Sequence, residues 1–187
     1  MTRSMKDNYG FWEFSIATYQ SDGVADACLA LQNQHGADVN MLLYCCWVAK
    51  VAGEFTDDLF STAMQFATEW GSNVVWPLRS VRQWMKHTEH SGRSVLSETH
   101  EGLRFDIKGI ELRAEKLQQT VLESFVIVAD GQHASDPEQL AHAAANLRRY
   151  CRIKEIETIG ESVDQLSVIL SGAITSATPQ SALEALS

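Results

Sequence analysis

The chain has 187 residues, 45% of them hydrophobic and 21% charged, a composition that separates it from disordered chains of low hydrophobicity and high charge. Its 15 Lys and Arg against 24 Asp and Glu give a formal charge of -9. Such a field repels phosphate backbones and anionic lipid, so nucleic acid and membrane surfaces are excluded as general partners.

One domain is the default at this length, and the sequence predicts a single helical domain over residues 1–175. Met1 to Lys6 carries cationic residues without a following apolar run, so no secretory signal is expected. The most apolar run, Met41 to Ala49, is about half of the ~20 residues a membrane span needs, and Lys50 closes it. The cysteines, Cys28, Cys45, Cys46 and Cys151, contain no C-x-x-C pair. They read as small hydrophobes in a reducing cytoplasm.

Period-2 alternation occurs once, at Leu103, Phe105 and Ile107, whereas helical patterns run through the chain. A first helix, about Gly10 to Gln20, carries Trp12, Ile16 and Tyr19 on one stripe. A second, about Gly23 to Gln34, buries Val24, Ala27, Cys28 and Leu31, and Gly36 stops it. Asp38 is the N-cap of a third helix, about 38–52, which is apolar on nearly every face and so belongs at the centre of a bundle. Thr56, with Asp57 and Asp58 behind it, opens a fourth helix that presents Leu59, Ala63, Phe66, Ala67 and Trp70 and ends at Gly71.

Ser72 or Asn73 caps the next helix, with Pro77 in its first turn and Leu78, Val81 and Met85 facing inward. Ser91 to Gly102 reads as a mobile loop. The longest helix follows, from about Leu103 to Asp130, with Ile107, Ile110, Ala114, Leu117, Val121 and Val128 as its buried stripe. Asp136-Pro137-Glu138-Gln139 combines cap, proline and N3 glutamine. Leu140, Ala144, Leu147 and Cys151 mark the helix that follows. Val163, Leu166, Leu170 and Ile174 define a last helix, about Glu161 to Ile174, and the small polar tail, residues 176–187, is expected to fray. The fold class is all-α: one bundle of about seven or eight helices around the apolar third helix.

The run Phe11-Trp12-x-Phe14-Ser15 … Tyr19, with Gly23-Val24 … Ala27-Cys28-Leu29-x-Leu31-Gln32 and Gly36-x-Asp38-Val39-Asn40-x-Leu42-Leu43 … Trp47, resembles an uncharacterised bacterial family of short helical proteins, known as a domain of unknown function. The likeness extends to Pro77-Leu78-Arg79 … Arg82 and Glu111-Leu112-x-Ala114-Glu115. It implies a bacterial cytoplasmic setting and no activity.

No cofactor or metal is indicated. His87 and His90 are i, i+3 beside Glu89, and His35, His100, His133 and His142 are scattered, so the histidines read as solvated. Asp57-Asp58 lacks a third carboxylate at Ser61 and reads as a helix start. Phosphate loops, dinucleotide fingerprints and nucleophile elbows are absent from the sequence. Two polar stripes stand out instead. Arg79, Arg82 and Lys86 recur at helical spacing, with Arg93 beyond them, and Glu111 and Glu115 share a helix face despite their like charge. Their helices are consecutive, so Arg79 is expected to meet Glu111 and Arg82 to meet Glu115. A pocket there would be lined by Trp76 and Trp84. Five tryptophans, an acidic surface and the lack of catalytic spacing favour a module that binds a protein partner or itself. The alternative is an enzyme or a small-molecule or anion binder that uses the Arg/Glu cluster. A concave opening at those side chains favours a ligand, and a flat face favours a partner.

Overall fold

The computed structural model describes residues 10–87, 94–127 and 134–187. Among these residues there are nine α-helices, one π-helical turn and no strand: α1 (Phe11–Tyr19), α2 (Val24–His35), α3 (Val39–Val51), α4 (Asp57–Trp70), a π turn (Gly71–Val75), α5 (Trp76–His87), α6 (Ser94–Ser124), α7 (Asp136–Ile153), α8 (Gly160–Ala173) and α9 (Pro179–Leu186). The fold is an all-α bundle, and no helix among the described residues is long and apolar enough to cross a membrane.

α3 is its axis. Every residue from Asn40 to Ala49 is buried, and α1, α2, α6, α7 and α8 all pack on it. Its first turn is closed by Asp38, whose Oδ1 accepts from the Asn40 amide at 2.8 Å, as its N-cap position requires. An aromatic series fixes the neighbours: Phe11 lies 5.2 Å from Tyr44, Tyr44 5.6 Å from Phe55 and Phe55 5.4 Å from Phe60, centroid to centroid. Each such pair adds about 0.5–1.5 kcal/mol beyond area burial. α7 lies along α3, joined through Asn146. Its Nδ2 donates to the Cys45 and Gly53 carbonyls, each at 3.1 Å, and its Oδ1 accepts from the Phe55 amide at 2.9 Å. The Gly53 carbonyl and the Phe55 amide, just past the end of α3, are thereby satisfied.

α2 buries the predicted Val24, Ala27, Cys28 and Leu31 and ends at Gly36, whose φ of 65° is left-handed. Elsewhere the structure departs from the sequence pattern. Gly71 does not stop α4, because the chain continues through the π turn directly into α5. Pro77 explains the widened turn: it has no amide for the carbonyl four residues back and its ring crowds that carbonyl, so i→i+5 spacing opens the backbone just before it. Gly71 is ordinary right-handed helix. What it supplies is room, since a Cβ there would stand 3.0 Å from Cε2 of the Trp76 ring.

α6 begins at Ser94, inside the segment expected to be a loop, and ends at Ser124 rather than near Asp130. Its face is also turned. Glu111, Ala114, Gln118, Gln119 and Leu122 are buried, while Ile110 and Leu117 are exposed. One residue is about 100° of helix, and the polar residues win the inward position because partners on α3 and α5 satisfy them. On α5, Met85 is buried as predicted but Val81 is exposed. α7 is capped one residue earlier than predicted, by Ser135, whose amide donates to Glu138 at 2.8 Å. The tail expected to fray forms α9, with Ala182 and Leu186 buried against α7 and α8. Thr178 caps it, accepting from the Ser181 amide at 3.2 Å, with Pro179 in its first turn. His90, Arg93 and His133 lie outside the described residues, as do Val128 and the first part of the predicted loop.

Candidate functional site

α1, α2, α5 and α6, with the start of α3, enclose a half-open cleft of about 650 Å³. Along α1, Phe11, Phe14, Ser15 and Thr18 are buried, and the predicted stripe of Trp12, Ile16 and Tyr19 lines the cleft together with Ser15. The π turn and α5 contribute Val75, Trp76, Arg79 and Arg82. α6 contributes Glu111, Glu115 and Gln119. Across the cleft mouth, Lys116 Nζ sits 5.1 Å from the Trp12 ring centroid, a cation–π contact between α6 and α1.

The predicted stripes do meet. Arg79 Nε donates to Glu111 Oε1 at 2.9 Å and Nη2 to Glu115 Oε1 at 2.7 Å, while Nη1 donates to Gln32 Oε1 at 2.6 Å. Arg82 does not take Glu115. It clasps the other side of Glu111, with Nε on Oε2 at 2.5 Å and Nη2 on Oε1 at 3.1 Å. Glu111 is the hub because its side chain is the most enclosed of the four, 6% exposed against 18% for Arg79, 24% for Arg82 and 24% for Glu115. Two guanidiniums on one buried carboxylate offset its desolvation.

The electrostatics separate the two glutamates. Burial alone would push Glu111 upward, but the hydrogen bonds and charges of Arg82 and Arg79 hold its carboxyl below the ordinary range. Glu115 ends above that range: burial raises it, with Glu111 and Asp38 adding to the rise, and Arg79 counters only in part. Burial likewise raises Asp38, against the hydrogen bonds from Gln118 and the Asn40 backbone.

Trp76 lines the cleft as predicted, whereas Trp84 and Lys86 do not. Trp84 is 67% exposed, since five residues carry it about 140° around α5 from Arg79. Lys86 is on the Arg79 side of α5 but two turns further along, where the side chain is exposed. Residue patterns missed an amide relay. Gln118 Nε2 donates to Asp38 Oδ2 at 2.8 Å, Asn40 Nδ2 donates to Gln118 Oε1 at 2.8 Å, and Gln119 Nε2 donates to Asn40 Oδ1 at 2.7 Å. Its only trace in the sequence is the consecutive pair Gln118-Gln119 inside a helix, which reads as surface. Among the described residues, no group of three or more His, Cys, Asp or Glu is placed to hold a metal ion.

No curated protein and no solved structure matches the chain. A family model does, the one described as protein of unknown function (DUF2390), over residues 10–122. Every residue lining the cleft falls inside that segment, and the chain belongs to this family.

Proposed function

We propose that the protein binds a small organic molecule in the cleft between α1, α2, α5 and α6. The observation that carries this reading is the shape of the site: the Arg79–Glu111–Glu115 network forms the wall of a concave, aromatic-lined opening rather than a flat face. Specific ligand sites combine mostly apolar walls with a few fixed polar groups. Here Trp12, Ile16, Tyr19 and Trp76 are the walls, and the ion-pair network holds the polar groups in place. Arg79 does not stand free for an anion, because Nε, Nη1 and Nη2 each donate to a protein oxygen. The four free, buried thiols support a reducing, cytoplasmic setting. Native mass spectrometry of the protein purified from its own cells, with thermal-shift screening of a metabolite library, tests the reading. A bound small molecule lost in Trp76→Ala supports it, and a protein that carries none and is stabilised by none argues against it.

A second reading, self-assembly, is favoured by an exposed apolar stripe along α6. Leu103, Ile110 and Leu117 are each about half exposed. They recur at heptad spacing there. Sedimentation velocity decides it: a dimer that Ile110→Glu returns to monomer supports self-assembly, and a monomer at high concentration removes it.

A further inference from the structure

Two side chains in the cleft lining each keep a buried polar atom without a hydrogen-bond partner, Ser15 Oγ and Gln119 Oε1. Each residue is 4% exposed. Buried polar atoms are nearly always paired, and an exception calls for a cause. Two exceptions beside one cavity share an explanation if the cavity's occupant supplies the partners.

The relay fixes which partner Gln119 needs. The Asp38 carboxylate only accepts, taking the Asn40 amide on Oδ1 and Gln118 Nε2 on Oδ2, each at 2.8 Å. Gln118 must therefore turn its oxygen to Asn40 Nδ2, Asn40 must turn its oxygen to Gln119 Nε2, and Gln119 is left with its oxygen unmatched. The acceptor is set at the far end of the relay, by Asp38, whose two oxygens both receive donors. Glu115 adds a second acceptor, because only its Oε1 is engaged by Arg79, while each nitrogen of Arg79 already donates to a protein oxygen.

Resting on the ligand-site reading above, we infer that the cleft selects a planar heteroaromatic compound, neutral or cationic, that donates an N–H to Gln119 Oε1 while its ring lies against the indoles of Trp12 and Trp76. An amino group directed toward Glu115 fits the same chemistry. Glu115, raised by burial and by Glu111 and Asp38, keeps Oε2 outside the Arg79 ion pair, which favours a cationic or strongly donating neighbour.

Three probes that share one ring separate the possibilities: aminoquinoline with its amino group beside the ring nitrogen, unsubstituted quinoline, and quinoline carboxylate. Binding to the full chain is followed by tryptophan fluorescence and by chemical-shift changes. Aminoquinoline is expected to bind roughly tenfold more tightly than quinoline, the scale of one added hydrogen bond, and the carboxylate not at all. Gln119→Leu should bring the two neutral probes to within about twofold. Asp38→Asn should do more, because an amide at 38 reverses each amide in the relay and presents Gln119 Nε2 to the cleft, so that quinoline is preferred. Thermal melting establishes that each variant is folded, and the Gln119→Leu result stands alone if Asp38→Asn is not. Quinoline or the carboxylate binding as well as aminoquinoline to the wild type overturns the inference while leaving the cleft a ligand site. Selectivity unchanged in Gln119→Leu also overturns it. If no probe binds and no cleft residue shifts at millimolar concentration, the ligand-site reading fails as well.

Discussion

Arg79 donates through Nε to a Glu111 oxygen at 2.9 Å, joining two helices across a residue separation of 32. The bond has consequences for stability because Glu111 also receives Arg82, and its side chain is 6% exposed. Removing the carboxylate takes a partner from both guanidiniums: Arg79 keeps Glu115 and Gln32, and Arg82 loses its ion pair.

Glu111→Gln is therefore expected to destabilise the protein by an amount nearer the ~3 kcal/mol at the lower end for a broken buried pair than the ~0–1 kcal/mol of an exposed one. In double-mutant cycles, Arg79/Glu111 should couple by more than about 1 kcal/mol, and Arg82/Glu115, which form no ion pair with each other, by less than about 0.5 kcal/mol. Urea denaturation of the single and double alanine variants measures both. Equal coupling in the two cycles would contradict the arrangement in which Glu111 is the shared hub.

The dependence of stability on pH follows from the opposite shifts of the two glutamates. Glu111 has a depressed folded pKa, so its contribution is present above the ordinary glutamate value of ~4.3 and is lost as pH falls through the lower folded value. Glu115 and Asp38 are raised, so the folded state takes up protons before the unfolded one does, and their effect is to make stability fall as pH rises through the window just above the ordinary range. Wild-type stability should rise as pH is lowered towards the ordinary carboxylate range from above, and drop as pH falls below it. Glu115→Gln should flatten the rise without abolishing the drop. Chemical denaturation at closely spaced pH values checks this, and an unchanged rise in Glu115→Gln would remove Glu115 as its source.

The thiols should be inert. Cys28, Cys45, Cys46 and Cys151 are each fully enclosed, and burial pushes Cys28 up to about 12 and Cys151 to about 11, with Cys45 and Cys46 also raised well above the ordinary thiol value. Thiolate is the reactive form, so a thiol reagent at neutral pH should label none of them in the native protein within the time that labels all four in denaturant. Rapid native labelling of Cys45 and Cys46 would show that α3 opens.

Gly172 lies in α8 where it crosses the start of α2. A Cβ at that position would overlap Cγ2 of Val24 and come to 3.1 Å from Ser21 Cβ. Val24 is fully buried and stiff at χ1, so it cannot turn aside cheaply. Alanine would gain about 0.5–1 kcal/mol as a better helix former, yet overpacking costs about 1–3 kcal/mol, and the net effect of Gly172→Ala should be a lower melting temperature. A rise would mean that α2 and α8 can separate without loss.

The fold was legible in the sequence wherever a backbone or burial rule acts locally. Gly36 ends α2, Asp38 and Thr56 cap α3 and α4, and the run Met41 to Ala49 had no face to offer solvent and so became the axis. Pairing of Arg79 with Glu111 was also within reach, because consecutive helices are neighbours and like charges that share a face require opposite ones. Which surface of α6 turns inward was decided only by the tertiary structure. Hydrophobicity ranks Ile110 and Leu117 above Gln118 and Gln119, but it assigns no value to the hydrogen bonds that Asp38 and Asn40 supply from some 80 residues away. The same holds for the cleft: Trp12, Ile16 and Tyr19 have a core-like spacing, and whether they meet a packed neighbour or an open space depends on where α5 and α6 come to rest. A residue's own sequence neighbours determine its helix and its cap, whereas the partners that make a buried polar group favourable exist only once distant segments have assembled.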